Sequence, residues 1–503
     1  MNENFDKNLL DQAGDFNLEV CNLISYRRDD ESGSQFEVDI KSITQLVTLT
    51  EDIFTKTMTG QIIVYDAQDI RTMLPITGLE KLELKFSTPG LVGVNAVRGE
   101  GHPFQVYKIE KVKVDSNNPN ASQYSIYFGS SEDYYNTFNR VSQAFSGPIE
   151  FGVETLLRNR DYLNSTKPFY YEPTRTNTKI VPPNSKPFGT IEMMSSMAIS
   201  QKYHTGGYLF YENVDGFHFR SIESLLAIDG SKPRPSTFNY VYQVTGASEN
   251  KPNGKGTKLK NVIKDMESVQ SYEFFRPANF LFNMYEGMFA SKLITHDSFY
   301  KQVQEHNFDY NDEFKKSYHL ETDNNDKSSF KSILPFSGYE DTRRPISENY
   351  MAKLMCYCDN HKIHNDYEFP PLKDTIQSRL SQRLSLLNVN VSLVVPGNSL
   401  LRAGDIINFD LPLQRPILNT TKSSNPYYSG RYLVMSILHT VDKEEGKYMM
   451  VLKCAKDSTV TELPAESRSF TVENKEYSNL VNNIYNLDKR FVTDSADQLQ
   501  GSI

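Results

Sequence analysis

Alternation of apolar and polar positions dominates the first quarter of the chain. Leu82-Glu83-Leu84-Lys85-Phe86 and Tyr124-Ser125-Ile126-Tyr127-Phe128 put every second side chain on one face, and Gln61-Ile62-Ile63-Val64-Tyr65 is an apolar run opened by Gly60. A two-residue repeat of this kind predicts half-buried β-strands. Turn-forming pieces separate the runs, among them Ser87-Thr88-Pro89-Gly90 and Asp115-Ser116-Asn117-Asn118-Pro119-Asn120. Residues 16–130 therefore read as a β domain behind a polar tail, 1–15.

After residue 130 the period lengthens. Pro148 precedes Ile149, Val153, Leu156 and Leu157, and Pro187 precedes Ile191, Met194, Met197 and Ala198, spacings that set apolar side chains on one face of a helix. Next, Gly207-Tyr208-Leu209-Phe210-Tyr211-Glu212 and Phe217-His218-Phe219-Arg220 flank Asp215-Gly216, which predicts a hairpin closed by a type I′ turn. Residues 131–235 thus form an α+β module.

Residues 228–261 carry Pro233, Pro235, Pro252 and Gly254-Lys255-Gly256 and read as a linker or surface excursion. Strand-like sequence resumes near Val269 and runs to about Tyr310. A helix with Ile376, Leu380, Leu384 and Leu387 follows the polar stretch 311–375, then strands at Val389–Val395, Ile406–Leu411, Tyr432–Thr440 and Tyr448–Lys453. The reading is a second β domain, 236–310 and 376–460, split around an insertion, 311–375. A polar extension, 461–503, has the composition of an arm that orders on assembly. The expected class is α+β, β-rich and multidomain.

Composition narrows the function. A chain of 503 residues exceeds the roughly 250–300 at which single cores stop growing. Thirty Tyr and thirty Phe without any Trp supply aromatic material for cores and contact surfaces. The balance of 54 Lys and Arg against 63 Asp and Glu gives a net charge of −9 and no long basic run, which argues against tight nucleic-acid binding. An acidic lumen would still let DNA pass without retaining it. Four cysteines, Cys21, Cys356, Cys358 and Cys454, do not make a disulfide framework, so reduced thiols are expected. No apolar run is long enough to span a bilayer and the N-terminus lacks an apolar signal core, so a soluble chain made in the cytoplasm is expected.

Candidate chemistry is sparse. Cys356, Cys358, His361 and His364 include the ligand types of a tetrahedral zinc site, but a single residue between the cysteines is tighter spacing than structural zinc sites use. His204, His218, His296 and His439 stand beside no nucleophile elbow or zinc helix, and Glu132-Asp133 is one carboxylate pair among many. Gly254-Lys255-Gly256-Thr257 lacks the full phosphate-loop pattern and a preceding strand. The aromatic stretch Tyr272–Tyr285 suits a stacking platform or, more often, strand cores and interfaces. No catalytic, cofactor-binding or metal residue is assigned, and no cofactor.

Several segments together resemble a known family. Thr50-Glu51-Asp52-Ile53-Phe54-Thr55-Lys56-Thr57-Met58-Thr59-Gly60, running through Gln61–Asp66 to Leu74-Pro75-Ile76-Thr77-Gly78, is similar to the first tube-type domain of the baseplate hub proteins of T-even-like contractile-tailed phages (myophages). Phe104–Ile109 and Tyr124–Phe128 extend that likeness, and Lys186-Pro187-Phe188 with the hairpin 207–220 resembles the family's second module. Arg402-Ala403-Gly404-Asp405, Gly430-Arg431-Tyr432-Leu433-Val434 and His439-Thr440 resemble its second tube-type domain. The insertion 311–375 and the extension after 460 depart from the pattern.

The resemblance implies two similar antiparallel β-barrel domains and a structural, non-enzymatic virion protein of the tail baseplate. As a homotrimer it would present six domains, joining a six-fold tail tube protein to a three-fold central spike protein, with baseplate wedge proteins around it and a channel for DNA passage. A tail-associated cell-wall hydrolase is the alternative, and a host-binding spike or fibre a third reading that the lack of regular repeats disfavours.

Overall fold

The computed structural model describes residues 12–28, 35–68, 70, 76–114, 121–175, 177–228, 232–242, 258–276, 279–314, 316–321, 331–332, 349–358, 372–387, 389–412, 424–425 and 427–459. The chain divides into two units, Met1–Glu462 and Leu463–Ile503, and the described residues all belong to the first. It is β-rich, with several sheets and interspersed helices, as the class read from the sequence requires. Among the described residues no helix is long and apolar enough to cross a membrane.

The first β domain holds β1 (Asn17–Arg28), β2 (Gln35–Asp39), β3 (Thr44–Asp52), β4 (Thr59–Asp66), β5 (Lys81–Ser87), β6 (Val94–Ala96), β7 (Phe104–Val114) and β8 (Ser122–Gly129). Their spatial order is β3-β4-β8-β7-β5-β1-β2, with β6 beside β5 and every pairing antiparallel. The alternating residues Leu82, Leu84, Phe86, Tyr124, Ile126 and Phe128 are all buried. The sheet curls on itself: Ile40 N–H donates to Cys21 O (2.9 Å), and Cys21 Sγ lies 3.7 Å from Thr44 Oγ1, so β1 meets the start of β3.

The α+β module contains α1 (Ser131–Phe138), β9 (Phe145–Pro148), α2 (Ile149–Arg158), β10 (Phe169–Tyr171), β11 (Asn177–Ile180), α3 (Pro187–Met197), β12 (Tyr208–Asn213), β13 (Gly216–Ser221), α4 (Ile222–Leu226), β14 (Ala227–Ile228) and β15 (Lys232–Pro233). Val153, Leu156 and Leu157 of α2 and Ile191 and Met194 of α3 pack with Phe210, Phe217 and Phe219 of the sheet β10-β13-β12. The predicted hairpin forms, but its turn differs. Asn213 pairs with Gly216 and only Gly216 has positive φ (140°), so Val214 and Asp215 are the central residues. A Cβ on Gly216 would lie 2.4 Å from Pro168 O, which explains why glycine is required there.

The second β domain is built from β16 (Phe238–Tyr242), a helix α5 (Lys258–Met266), β17 (Ser268–Val269) and β18 (Ser271–Arg276), and, after an excursion, from four further strands. The excursion comprises α6 (Phe280–Tyr285), β19 (Ala290–Asp297), β20 (Gln302–Asp309), α7 (Tyr310–Phe314), β21 (Lys331–Ser332), β22 (Leu354–Cys358) and α8 (Leu372–Leu386). Then come β23 (Val389–Pro396), β24 (Ile406–Asp410), β25 (Gly430–Asp442), β26 (Lys447–Lys456) and β27 (Ser458–Thr459). Pairings run β16-β24-β25-β26-β23-β18, and β17, one residue before β18, pairs back to β16, which closes the barrel. The β16 pairings are parallel, so this barrel is not wholly antiparallel as expected.

Two stretches depart from the sequence reading. Within 228–261, read as a linker, Phe238–Tyr242 is a strand of the barrel, with Phe238 and Tyr240 buried in its core. Residues 290–309, placed with the second β domain, instead make a three-stranded sheet in which β19 pairs β20 and, in parallel, β22. This sheet is backed by α8, whose Gln377 and Ser381 donate to the backbone carbonyls of Ser291 and Met288 (3.1 and 2.8 Å).

Candidate functional site

The distinctive feature is the seam between the two β domains. Seven residues of β3 pair antiparallel with β25, from Leu46↔Asp442 to Asp52↔Ser436, so the domains share one continuous sheet. One hydrophobic cluster runs through both, from Cys21, Val47 and Phe86 to Ile437, Tyr448 and Cys454. A ladder of this length, backed by a shared core, ties two domains more rigidly than a linker does.

At one end of the ladder sits a buried polar knot. β3 carries Val47, Leu49 and Glu51 on its inward phase, and β25 carries Ile437, His439 and Val441; all six are buried. Glu51 is diagonal to His439 across the pairing. One Glu51 oxygen lies 3.1 Å from His439 Nε2, the other accepts from Ala403 N–H (3.1 Å), and its carbonyl accepts from Ser436 Oγ (3.0 Å). His439 Nδ1 is 2.7 Å from the Tyr448 hydroxyl. Both ring nitrogens are consumed and all three side chains are out of solvent, so this chain of groups binds strands together and presents no nucleophile. Burial pushes the Tyr448 hydroxyl well above the usual phenol range.

The turn Arg402-Ala403-Gly404-Asp405 brings the α+β module into the same knot. Arg402 Nε donates to Asp215 at the tip of the β12-β13 hairpin (3.0 Å), Asn213 Nδ2 donates to Ala403 O (3.4 Å), and Arg234 donates to Asp405 (3.0 Å). Two bonds anchor the turn to β25: Gly404 N–H donates to Val434 O, and Val434 N–H donates to Asp405 O (2.8 Å each). Burial raises the Asp405 pKa against the pull of Arg234 and Arg402, and burial likewise raises that of Asp52. Thr88 and Ser399 exchange hydrogen bonds of 3.1 Å across the domains. Gly397 completes the approach: a Cβ there would sit 2.0 Å from the Tyr448 ring.

A second junction fixes the module to the first β domain. Lys167 Nζ is 2.7 Å from Glu132 and 2.6 Å from Glu212, all three buried. Glu212 also accepts from Met58 N–H (3.0 Å) and Ser130 Oγ (2.6 Å). Burial opposes charge on both carboxylates. At Glu132 the Lys167 charge and hydrogen bonds overcome it and hold the pKa down, whereas Glu212, facing Glu132 as well, is pushed up.

The residues singled out from sequence are scattered. His439 lies in the knot; His218 is sandwiched between Tyr170 and Tyr211; His204 occupies a turn with positive φ (60°); His296 is exposed on β19. Glu132 is committed to Lys167 while Asp133 is exposed, so the adjacent pair does not act together. Cys356 and Cys358 are exposed on β22, with Cys358 in register with His296, while His361 and His364 lie outside the described residues. Among the described residues no three His, Cys, Asp or Glu side chains gather as a metal site. Gly254–Thr257 also lies outside the described residues. Within Tyr272–Tyr285, Tyr272 and Phe274 pack on the barrel core and Leu281, Phe282 and Tyr285 are exposed. Sequence reasoning missed Glu51, Lys167 and Glu212.

No protein-family model matches the chain, and no curated protein matches it. Among solved structures, a tail protein from Neisseria meningitidis MC58 is similar over 88% of this chain and 97% of its own, at 8% identity and a TM-score of 0.48. The 43 kDa tail protein of prophage MuSo2 from Shewanella oneidensis is similar over 89% and 100%, at 9% identity and 0.45. A component of the E. coli type VI secretion system is similar over 84% and 75%, at 7% identity and 0.36.

Proposed function

We propose that the chain is a structural hub subunit of a contractile phage tail baseplate, which as a homotrimer joins the six-fold tail tube protein to the three-fold central spike protein. The observation that carries this reading is the β3–β25 ladder. Two β domains locked into one sheet move as one body, so three copies would set six β domains at fixed spacing and absorb the symmetry mismatch inside each chain. The buried knot at Glu51 and His439 serves that rigidity, not catalysis.

The excursion would supply contacts to neighbours. Leu281, Tyr285, Phe299, Val303, Met351 and Tyr357 are all exposed within it, an apolar density that suits surfaces covered on assembly by spike or wedge proteins. DNA would pass through the channel without specific binding, and the protein would reside in the virion tail after assembly in the host cytoplasm. The test is co-assembly: the purified chain mixed with its tail tube protein should stack on tube ends in electron-microscope class averages. Cell-wall turnover by the purified chain would favour a hydrolase instead.

A further inference from the structure

Among the described residues, the module's three-stranded sheet leaves one edge unpaired, beside a basic, aromatic cleft of about 690 Å³. β10 is the outermost strand, parallel to β13. Phe217 N–H donates to Pro168 O and Glu172 N–H donates to Phe219 O (2.9 Å each). These bonds point inward. By the two-residue repeat of a strand, the N–H and C=O groups of Phe169 and Tyr171 point the other way, off the free edge. Tyr170 and Tyr171 remain 48% and 44% exposed there.

Behind the edge the wall is already ordered. His218 stacks on Tyr170 (ring centroids 5.0 Å apart, planes at 20°) and on Tyr211 (5.0 Å, 11°), and its Nε2 is 3.0 Å from Asn213 Oδ1. Its Nδ1, in a residue only 9% exposed, has no hydrogen-bond partner among the described residues. In a chain of net charge −9 the cleft gathers Lys202, Arg220 and Arg234 around one acid, Glu172. That carboxylate is consumed by Ser200 Oγ and by Ser221 N–H (2.8 Å), and Arg234 is taken by Asp405. No described carboxylate pairs with Arg220.

We infer that this edge binds an extended, acidic segment of a partner protein, which adds a strand to β10 and sets a carboxylate against Arg220. Strand addition explains why main-chain groups and a charged groove lie side by side: the first give affinity, the second direction and selectivity. This inference stands apart from the hub reading.

The test uses the full chain and a fluorescein-labelled eight-residue peptide of alternating glutamate and threonine, followed by fluorescence anisotropy. Saturable binding is expected, weakened at least ten-fold by Arg220→Glu and by Tyr171→Pro, which deletes an N–H pointing off the edge. If Tyr171→Pro fails to fold by circular dichroism, charge reversal decides: Arg220→Glu should gain affinity for the lysine–threonine counterpart while losing it for the glutamate peptide. Absence of saturable binding, or affinities unchanged in the variants, overturns the inference. So does tighter binding of a hyaluronan octasaccharide than of the peptide, which would assign the cleft to an anionic sugar. Self-association that Arg220→Glu abolishes would assign it to a second copy and likewise overturn the proposal.

Discussion

His439 Nε2 lies 3.1 Å from a carboxylate oxygen of Glu51, joining β25 of one β domain to β3 of the other on the buried face of their seam. Removing the carboxylate strands two groups at once, the imidazole and the Ala403 N–H. Glu51→Ala should therefore lower unfolding stability by about 2–4 kcal/mol, and Glu51→Gln, which keeps an acceptor for Ala403, by less than half of that. Urea denaturation followed by far-ultraviolet circular dichroism checks it. A loss under about 1 kcal/mol for the alanine variant would show that the knot does not hold the seam.

Lys167 is the sole cation between two buried carboxylates, Glu132 and Glu212, among the described residues. Lys167→Met should cost about 3–5 kcal/mol, because the acids are left facing one another without compensation. Neutralising them as well, with Glu132→Gln and Glu212→Gln, should restore most of the loss. A single variant as stable as the parent in thermal unfolding would mean that this junction contributes nothing.

Burial pushes the Glu223 carboxyl up to about 8, with Gln382 donating to it at 2.9 Å. The folded state then holds a proton that the unfolded state releases near pH 4.5, so this group's contribution to stability is fully present at low pH and is lost as pH rises towards 8. His218 acts in the opposite sense, since burial lowers its pKa from 6.5 to about 4 and its contribution is lost as pH falls through that window. Between pH 6.5 and 8 only Glu223 of the two still titrates. Stability should fall by about 1–2 kcal/mol over that interval. Glu223→Gln should flatten the profile there, and an unchanged slope in that variant would refute the assignment.

Much of the fold was legible because it is written in local periods. Tyr124–Phe128 and Leu82–Phe86 alternate and are strands; Ile149, Val153, Leu156 and Leu157 share a helical face and are buried together. Strand partnership was not legible, since β19 has the same pattern whether it joins the barrel or β22. Phe238–Tyr242 was hidden because five residues among prolines are too short to show a period. The seam residues left a faint trace: Glu51 falls on the phase of Val47 and Leu49, and His439 on that of Ile437 and Val441, polar groups where a core residue belongs. Nothing local could say that these two, 388 positions apart, meet.

On the hub proposal, the two joined β domains of each chain make one third of a closing set of six, three chains to a ring. Light scattering with electron-microscope class averages of the purified protein, alone and with tube protein, tests it most directly. The expected result is a particle of three times the 57.7 kDa chain mass, three-fold symmetric, with six similar lobes around an open channel. A stable monomer that forms no ring with tube or spike proteins would contradict it.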